Sequence, residues 1–557
     1  MEKPVNGVMM QFYHWHLHEN LYHKGARNLW EFLEEQVPYL GKLGITAVWL
    51  PPVSKCKNTN DVGYGVYDYY NLGEWGNTKY GSKQQLHHAI NALHGYDRLG
   101  NKIPGAPYIQ VYADIVINHK DGDLDDSTWQ AVRVEKENRN RARFGNGFEE
   151  GIVEVKGYTK FAPDKNQSGK YSMFEWHARH FDGIDWTETY QEKGHEKDGN
   201  NSKYIYRFLF NEENYQPQQK SWDEWLSLEK GNYDYLTFAD FDYDRYEVRE
   251  ELKKWGQWLT ETLGIDGYRI DAAKHINFDY LREWIGHIRH FGKKTGAFTV
   301  AEYLTGNNYV KQEVHDFIDR ISRYGEYPQE LSVFDFPLHQ KFHEISKANG
   351  NGSLIAIDHS TMMNQRPMNA VTFVENHDTQ YERHHESAVE SWFKPLAYSF
   401  ILLRRNGYPC IFFDDFYGSN VASKSNHVHL PGEEYLGLLL KLRQQFALGE
   451  ERYYDSEHLA GWVRMGFVPT AKGAMAVVLN NGEHVSAISM NTGRFNKRFY
   501  MLATIKHTPG GYLVVYNRYD AYGNNAEGLF TDHNGIAGFP CDAKAVSLWL
   551  EDGVGIS

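Results

Sequence analysis

Eight short apolar runs alternate with helix-like segments through the first 445 residues, and this alternation most constrains the fold. Each run has the length and the apolar or β-branched composition of a buried strand. Strands that alternate with helices indicate a parallel sheet, and eight such units indicate a closed (β/α)8 TIM barrel of the α/β class. The eight runs begin at Val8, Thr46, Val111, Gly267, Phe298, Leu331, Ala370 and Pro409. Helices are predicted at Asn28–Leu43, Ser82–Leu93, Glu247–Leu263 and Tyr280–Lys293.

Two stretches depart from this alternation. Residues 120–235 are polar, rich in Gly, Asn and Asp, and too long for a structureless loop, so we expect an inserted, irregular β-rich subdomain after the third strand. Residues 449–557 contain short alternating runs separated by Gly and Asn turns, a pattern typical of an antiparallel β-sandwich. The barrel would then comprise residues 1–119 and 236–448.

Four of the apolar runs end in polar residues that could perform chemistry. Asp271, Glu302 and Asp378 follow three different strands, and Asn118 and His119 close a fourth. Because the carboxyl ends of barrel strands meet at one rim, we expect these side chains to converge there. Carboxyl groups with opposite protonation states at such a rim are what a glycoside hydrolase needs.

Each of these residues, taken alone, also has a structural explanation. Arg269 and Asp271 are two apart on a strand and face the same side, as in an active-site pair or in an ordinary ion pair at a strand end. The apolar neighbours of Glu302 suit a general acid, but a turn-capping carboxylate would look the same. Their joint occurrence favours the catalytic interpretation.

Composition excludes several other classes of protein. The net charge of −14 argues against nucleic-acid binding, which needs a basic surface. No apolar run approaches the roughly 20 residues needed to span a bilayer, so no membrane partner is expected. The start, MEKPVNGVMMQF, lacks an apolar signal core, and three widely spaced cysteines do not form a disulfide pattern. We therefore expect a cytoplasmic protein, the alternative being a secreted one from which the signal peptide has been removed.

The segments DIVINH, GYRIDAAKH, VAEY and FVENHD resemble the four signature regions of the α-amylase family of glycoside hydrolases, in the family's order. The flanking VWLPP, VGYGVYDYYNLGE and GNYDYLTFADFDYD resemble the bacterial liquefying and cytoplasmic α-amylases in particular. The resemblance extends from Val8 to about Trp549 and weakens in residues 95–108, in residues 135–220 and in the C-terminal domain. Four regions in order form a specific signal, whereas any one of them would be weak.

The resemblance implies a catalytic triad. Asp271 would be the nucleophile, Glu302 the acid and then the base, and Asp378 the residue that binds sugar hydroxyls and stabilises the transition state. Arg269 would keep Asp271 ionised, and His119 and His377 would hydrogen-bond the sugar. Tyr64 would stack beneath that sugar, and Lys274 and His275 would lie on the leaving-group side. The implied substrate-binding residues are thus Tyr64, His119, Arg269, Lys274, His275 and His377.

Acidic residues near the end of the insertion suit a calcium site, although a solvated acidic turn is the alternative. An EF-hand is rejected because Arg245 occupies the position that needs glycine. The resemblance implies one Ca²⁺ site and leaves a second calcium or sodium site doubtful, since it places Met173 where relatives have an aspartate. The first site would use Asn118, Asp234, Asp240 and the His275 carbonyl, and the doubtful one Asp223, Asp242 and Asp244.

The leading functional hypothesis is retaining endo-hydrolysis of α-1,4-glucosidic bonds in starch, glycogen or maltodextrins. An exo-type maltooligosaccharide-forming amylase or a glucanotransferase would use the same chemistry, and a noncatalytic carbohydrate-binding protein is a remote alternative. After the acid, relatives often have Tyr-Trp where this chain has Tyr303-Leu304, so leaving-group contacts could differ. We expect an α-glucan as substrate and a monomeric protein.

Overall fold

The fold is described from a computed structural model of the chain. It describes residues 6–15, 17, 26–139, 149–162, 169–189, 204–209, 221–323, 330–381, 383, 385–419, 430–466, 473–516 and 528–553. Parts of the predicted insertion and of the C-terminal domain lie outside these ranges. No helix among the described residues is long and apolar enough to cross a membrane.

Eight parallel strands form a closed barrel, which confirms the predicted fold class. Each strand pairs in parallel with its neighbours, and the first closes the barrel by pairing with both the second and the eighth. From the first to the eighth, the strands are Met9–Gln11, Ala47–Trp49, Gln110–Ile115, Gly267–Ile270, Phe298–Ala301, Ser332–Phe334, Ala370–Phe373 and Tyr408–Phe412.

Most of the strands end before the apolar runs that predicted them. The third strand ends at Ile115, and His119 lies instead on the short strand His119–Lys120 of a different sheet. The seventh strand ends at Phe373, so Asp378 lies in the loop beyond it. The apolar runs continue past the sheet because the rim itself is buried, as at Val116 and Ile117.

Helices surround the barrel, and local signals define their ends. The side chain of Asn28 caps the first helix by accepting from the Glu31 N–H, and Ser82 forms a capping box with Gln85. Gly44 ends the first helix with a φ of 83°, a conformation that glycine adopts without strain. The α-helices are Leu29–Leu43, Lys83–Leu93, Tyr246–Leu263, Phe278–Phe291, Gln312–Arg323, Phe336–Lys347, Met362–Gln365, Lys394–Leu403, Phe413–Tyr417 and Glu433–Gln445. The 3₁₀ turns are Ala178–His180, Glu229–Gly231, Ala273–His275 and Pro367–Asn369.

A six-stranded sheet follows the third barrel strand. Its spatial order places His119–Lys120 and Ala239–Phe241 next to each other at one edge, so the chain enters and leaves the insertion side by side. In spatial order the strands are His119–Lys120, Ala239–Phe241, Phe181–Ile184, Tyr204–Leu209, Trp129–Glu135 and Glu149–Val155. Lys55–Cys56 and Val66–Asp68 form a separate two-stranded sheet.

The C-terminal region contains two antiparallel sheets that pack against each other. Ile488 and Phe539 of the smaller sheet meet Val463 and Trp549 of the larger one in a shared apolar core. The larger sheet comprises Glu451–Asp455, Leu459–Arg464, Met475–Asn480, Arg498–Thr508, Gly511–Tyr516, Gly528–Phe530 and Ala545–Glu551, and the smaller comprises Ser486–Asn491 and Ile536–Cys541.

Candidate active site

The guanidinium of Arg269 lies at the centre of a group of carboxyls at the barrel rim. Its Nη1 donates to Asp114 Oδ1 at 2.9 Å and also to Asp271, and its Nη2 lies 3.0 Å from Glu302 Oε2. Arg269 is fully buried on the fourth strand, and Asp271 and Glu302 directly follow the fourth and fifth strands. The structure therefore brings together Arg269, Asp271 and Glu302, as the sequence predicts.

The backbone of this rim is held in the strand register. The Asp271 N–H donates to Ile115 and the Glu302 N–H donates to Ile270, at 3.0 and 2.9 Å. Ala272 then takes up a left-handed conformation with a φ of 49°, which is strained for a residue with a side chain. This turn aims the Ala272 N–H at Glu302 Oε2, at 3.0 Å. Arg269 and Ala272 thus both contact Oε2, which leaves Oε1 as the oxygen that can carry a proton.

The electrostatics of the group oppose full ionisation. Burial raises the pKa of Asp271, and the adjacent Arg269 partly offsets this rise. Burial disfavours the Arg269 charge, but Asp114 and Glu302 outweigh it and raise the pKa of the guanidinium, which stays charged. One cation faces three carboxyls, so complete ionisation would leave two uncompensated negative charges at a nearly dry site. The arrangement favours a proton on one carboxyl.

Asp114 was not predicted to contribute, yet it anchors this group. Besides Arg269, its carboxylate accepts from Tyr13, Trp49 and Tyr64, at 3.0–3.1 Å. Asp114, although it lies inside the third strand, thus accepts hydrogen bonds from four donors. In turn it holds the Arg269 guanidinium in place. A polar residue within the apolar run VYADIV was the available sequence signal.

The loop after the seventh strand supplies the third acid. Asn376 accepts from the Asp378 and Thr379 N–H groups, both at 2.9 Å, and so folds the turn. Asp378 remains half-buried, and burial raises its pKa while Arg269 opposes the rise. His377 Nε2 lies 3.3 Å from Asp378 Oδ2 and 2.7 Å from the Tyr64 hydroxyl.

Two buried histidines form part of the same wall. Burial lowers the pKa of His377 and lowers the pKa of His119 to about 4, so both rings are neutral near pH 7. His119 Nε2 lies 3.1 Å from the Tyr64 carbonyl, and its buried Nδ1 has no hydrogen-bond partner among the described residues. A neutral nitrogen without a partner at this rim could bind a ligand hydroxyl. Tyr64, His119, His377 and Asp378 therefore lie together.

Lys274 and His275 make different contacts. The Lys274 ammonium donates to Glu229 at 2.8 Å and to the Leu304 carbonyl at 3.0 Å. His275 Nδ1 lies 2.6 Å from the Tyr233 carbonyl. These side chains join the fourth-strand loop to the end of the insertion and to the fifth-strand loop, and they make no described contact with Asp271 or Glu302.

A buried acidic cluster lies where the insertion meets the barrel. Carboxylate oxygens of Asp182, Asp223 and Asp234 lie within 4.8 Å of one another. Asp240 is equally buried, and burial followed by the nearby Asp182 and Asp223 raises its pKa. Asn118 donates to Asp240 at 2.8 Å. Several buried carboxylates this close together would be strongly destabilising without a cation to compensate their charge.

Two orphaned oxygens show where a cation would fit. Asn118 Oδ1 and Asp240 Oδ2 are buried without a hydrogen-bond partner among the described residues. Carboxylate and amide oxygens, with no nitrogen or sulfur among the donor side chains, are the ligands that Ca²⁺ prefers. The residues present therefore fit the expected calcium ion.

The doubtful second site looks different in the structure. Asp242 accepts from the Arg245 guanidinium at 3.2 Å, and Asp244 is exposed. Met173 is 81% exposed and is not part of the buried cluster, whereas Asp182, which the sequence does not predict, belongs to it. Met173 therefore does not take the place of an acid in this cluster. The segment HFDGID, with two aspartates around a glycine, is typical of a turn, but Asp182 lies on the buried strand Phe181–Ile184.

Comparisons with known proteins identify the family of the chain. The catalytic-domain model of the alpha-amylase family matches residues 30–426. The chain is 36% identical to an alpha-amylase of Bacillus licheniformis, covering 98% of this chain and 94% of the relative. It is 32% identical to the cytoplasmic alpha-amylase of Escherichia coli K12, covering 98% and 99%. It is also 36% identical to a glucan 1,4-alpha-maltohexaosidase of Bacillus sp. strain 707, covering 98% and 92%.

Solved structures support the fold. The chain resembles an alpha-amylase of Geobacillus thermoleovorans, solved with acarbose, with a TM-score of 0.57 and 14% identity over 99% of this chain and 98% of that one.

Proposed function

The chain belongs to the α-amylase family and is a glycoside hydrolase of that type, and from this premise we propose that it catalyses retaining endo-hydrolysis of α-1,4-glucosidic bonds. The proposed substrates are starch, glycogen or maltodextrins. The observation that carries the proposal is the single Arg269 guanidinium between Asp271 and Glu302. Retaining enzymes need two carboxyls about 5 Å apart, and acids on adjacent nitrogens of one guanidinium suit that spacing.

The proposed roles follow from the hydrogen bonds. Asp271 is the nucleophile because Arg269 stabilises its ionised form. Glu302 is the acid because its Oε1 is free of the contacts that Oε2 makes. Asp378 and the neutral His119 and His377 bind the sugar hydroxyls.

The reaction has two steps. The Asp271 carboxylate attacks the anomeric carbon while Glu302 gives its proton to the departing glycosidic oxygen, so one C–O bond forms and one breaks. Glu302, now ionised, takes a proton from a water molecule that attacks the same carbon and releases Asp271. The sugar keeps its anomeric configuration because it is inverted twice.

Calcium is proposed as a structural ion. Asn118, Asp234, Asp240 and the His275 carbonyl would hold it, and Asp182 and Asp223 would add charge beside it. The ion would stabilise the junction between the insertion and the barrel, and no step of the reaction passes through it. Asp242 and Asp244 remain a weaker proposal for a second site.

Endo attack is tested by following products. Soluble starch should give a mixture of long oligosaccharides first, with a rapid fall in iodine staining relative to reducing ends. The second candidate is exo-type release, favoured by the relative named as a maltohexaosidase, and it predicts one dominant product from the start. Formation of products longer than a supplied oligosaccharide would instead indicate glucan transfer.

Two further expectations are kept as proposals. A cytoplasmic location is supported by the relative of that name from Escherichia coli, and cell fractionation tests it. A monomeric state is tested by light scattering during size-exclusion chromatography.

A further inference from the structure

A cavity of about 100 Å³ lies between the barrel and the inserted segment, apart from the residues of the candidate active site. Its walls come from residues 67–70, from Lys120, from the inserted residues 161, 169 and 171–176, and from Glu251 of the helix Tyr246–Leu263. The volume is several times that needed for one ordered water molecule. None of the proposed catalytic or sugar-binding residues lines it, and strand alternation places the Lys120 side chain on the face opposite to His119.

Lys120 has an unusual environment in this cavity. Its side chain is about 1% exposed, and its nitrogen lies 4.4 Å from the Phe161 ring centre, 4.7 Å from Tyr69 and 5.6 Å from Trp176. The nitrogen donates to the Tyr67 carbonyl and forms no ion pair with a described carboxylate. A buried nitrogen with donors to spare therefore lines the cavity.

Acceptors and ring surfaces complete the lining. The buried Glu251 carboxylate accepts from the Tyr70 hydroxyl at 2.9 Å, and Asp68 also lines the wall. Half-buried rings of Tyr171 and Trp176 add apolar surface. The carboxylates disfavour an anionic ligand and Lys120 disfavours a cationic one. A neutral molecule with several hydroxyls and a flat apolar face satisfies both kinds of group.

We propose that this cavity is an accessory site for one or two glucose units of a malto-oligosaccharide, separate from the catalytic cleft. The choice of glucose rather than another sugar rests on the proposed function, whereas the preference for a neutral polyhydroxylated ligand rests on the lining. Lys120 donates to sugar hydroxyls, Glu251 accepts from them, and Trp176 provides a ring against which the sugar packs.

The test counts maltose-binding sites in the catalytically impaired Glu302→Gln protein by calorimetric and tryptophan-fluorescence titration. Two classes of site are expected. Adding Lys120→Met should raise the Kd for maltose at one class of site at least tenfold, because the hydrogen bonds from the Lys120 nitrogen to the sugar are lost. Adding Glu251→Gln, which can still accept from Tyr70, should weaken the same class. The matched control is Lys102→Met, since Lys102 also lies over two tyrosine rings but does not line the cavity.

One class of site in the Glu302→Gln protein would overturn the proposal. Two classes that both persist in the Lys120 and Glu251 variants would also overturn it, because the second site would lie elsewhere. Melting temperatures of all variants identify any that fail to fold, and Glu251→Gln keeps the test decisive if Lys120→Met does not fold. The titration counts sites without turnover, so failure of the hydrolase proposal would appear in rates and failure of this one in stoichiometry.

Discussion

Arg269 is the residue on which the candidate site most depends. Its planar guanidinium contacts Asp114, Asp271 and Glu302 at once, which a lysine ammonium could not do in the same geometry. Asp114 holds the guanidinium from within the barrel while the other two acids face the rim. The different roles proposed for Asp271 and Glu302 thus depend on which of their carboxyl oxygens the buried Arg269 guanidinium contacts.

Replacing Arg269 with lysine should shift the acid side of the pH profile. Burial raises the pKa of Asp271, and Arg269 opposes that rise. A lysine would oppose this rise in the pKa less, so Asp271 would take up its proton at a higher pH. As the pH is lowered, kcat/KM should therefore begin to fall at a higher pH than in the wild type. The pH dependence of kcat/KM on a short maltodextrin measures this. Arg320→Lys, at an ion pair on a surface helix, serves as control, and an unshifted acid limb in Arg269→Lys would contradict the assignment.

The two catalytic acids should respond differently to the leaving group. Asp271→Asn and Glu302→Gln should each lower kcat on starch by three orders of magnitude or more, because each loss costs roughly 4 kcal/mol of transition-state stabilisation. An aryl maltooligoside with a good leaving group needs little protonation, so Glu302→Gln should recover much of its kcat/KM, which reports the first step, while its kcat stays low because the second step still lacks the base; Asp271→Asn should recover neither. Asp126→Asn, at an exposed ion pair, is the control. Near-normal starch hydrolysis by either variant would refute the roles.

At the scale of elements, the sequence predicts the strands well but their ends poorly. All eight apolar runs overlap barrel strands. They could be predicted because the spacing and the composition of apolar residues indicate which segments are buried. The same signal continues at Val116 and Ile117, which are buried by the insertion rather than by the sheet. His119 was therefore placed at a barrel strand end, although it lies on a strand that pairs with Ala239–Phe241. Such pairings join residues about 120 apart and have no local signature.

The same limit applies to the site. Asp271, Glu302 and Asp378 could be predicted because each follows an apolar run at the rim. Asp114 and Asp182 could not, since each is one polar residue within a strand and its partners come from distant elements. Distances between carboxyls, and which oxygen each donor contacts, depend on barrel closure and are absent from the sequence.

Asp266 links several elements at the opposite end of the fourth strand. It accepts from the Val111 N–H, Tyr108 and Lys294 at 2.9–3.1 Å, and His94 Nε2 lies 2.8 Å away. Burial disfavours its charge, but His94 and Lys294 outweigh burial and lower the pKa of Asp266 to about 2. This contact set joins the helix Lys83–Leu93 to two barrel strands.

Asp266→Asn should therefore destabilise the fold in a pH-dependent way. A pKa lowered on folding adds stability above the unfolded value near 4, and that stability is lost as pH falls toward 2. We expect a loss of about 1–2 kcal/mol at pH 7 after allowing for screening, and a smaller loss below pH 4. Urea unfolding at pH 7 and at the lowest pH where both proteins fold measures this, with Asp126→Asn as control. An equal loss at both pH values would contradict the explanation.

At the scale of the whole molecule, the acidic cluster determines how the insertion is attached. Asn118 comes from the loop after the third strand, Asp182 and Asp240 from the inserted sheet, and Asp223 and Asp234 from the return segment. The carboxylate oxygens of Asp182, Asp223 and Asp234 lie within 4.8 Å of one another at this junction, and Asn118, which bonds to Asp240, is next to His119 of the catalytic wall. A cation there would bind the folded arrangement and not the unfolded chain, so its free energy of binding would stabilise the whole molecule.

Removing calcium should therefore lower the melting temperature, and restoring it to about 100 times its Kd should return roughly 2.7 kcal/mol. In Asp240→Asn the carboxylate with the orphaned oxygen is lost, so added calcium should have a smaller effect, and Asp182→Asn should behave likewise if that acid shares the site. Asp126→Asn should respond as the wild type does. Scanning calorimetry in chelator and in calcium, with metal analysis of dialysed protein, measures these effects. The calcium site would be refuted if dialysed protein held no calcium and chelator left its melting temperature unchanged. Protons would then have to neutralise the buried carboxylates.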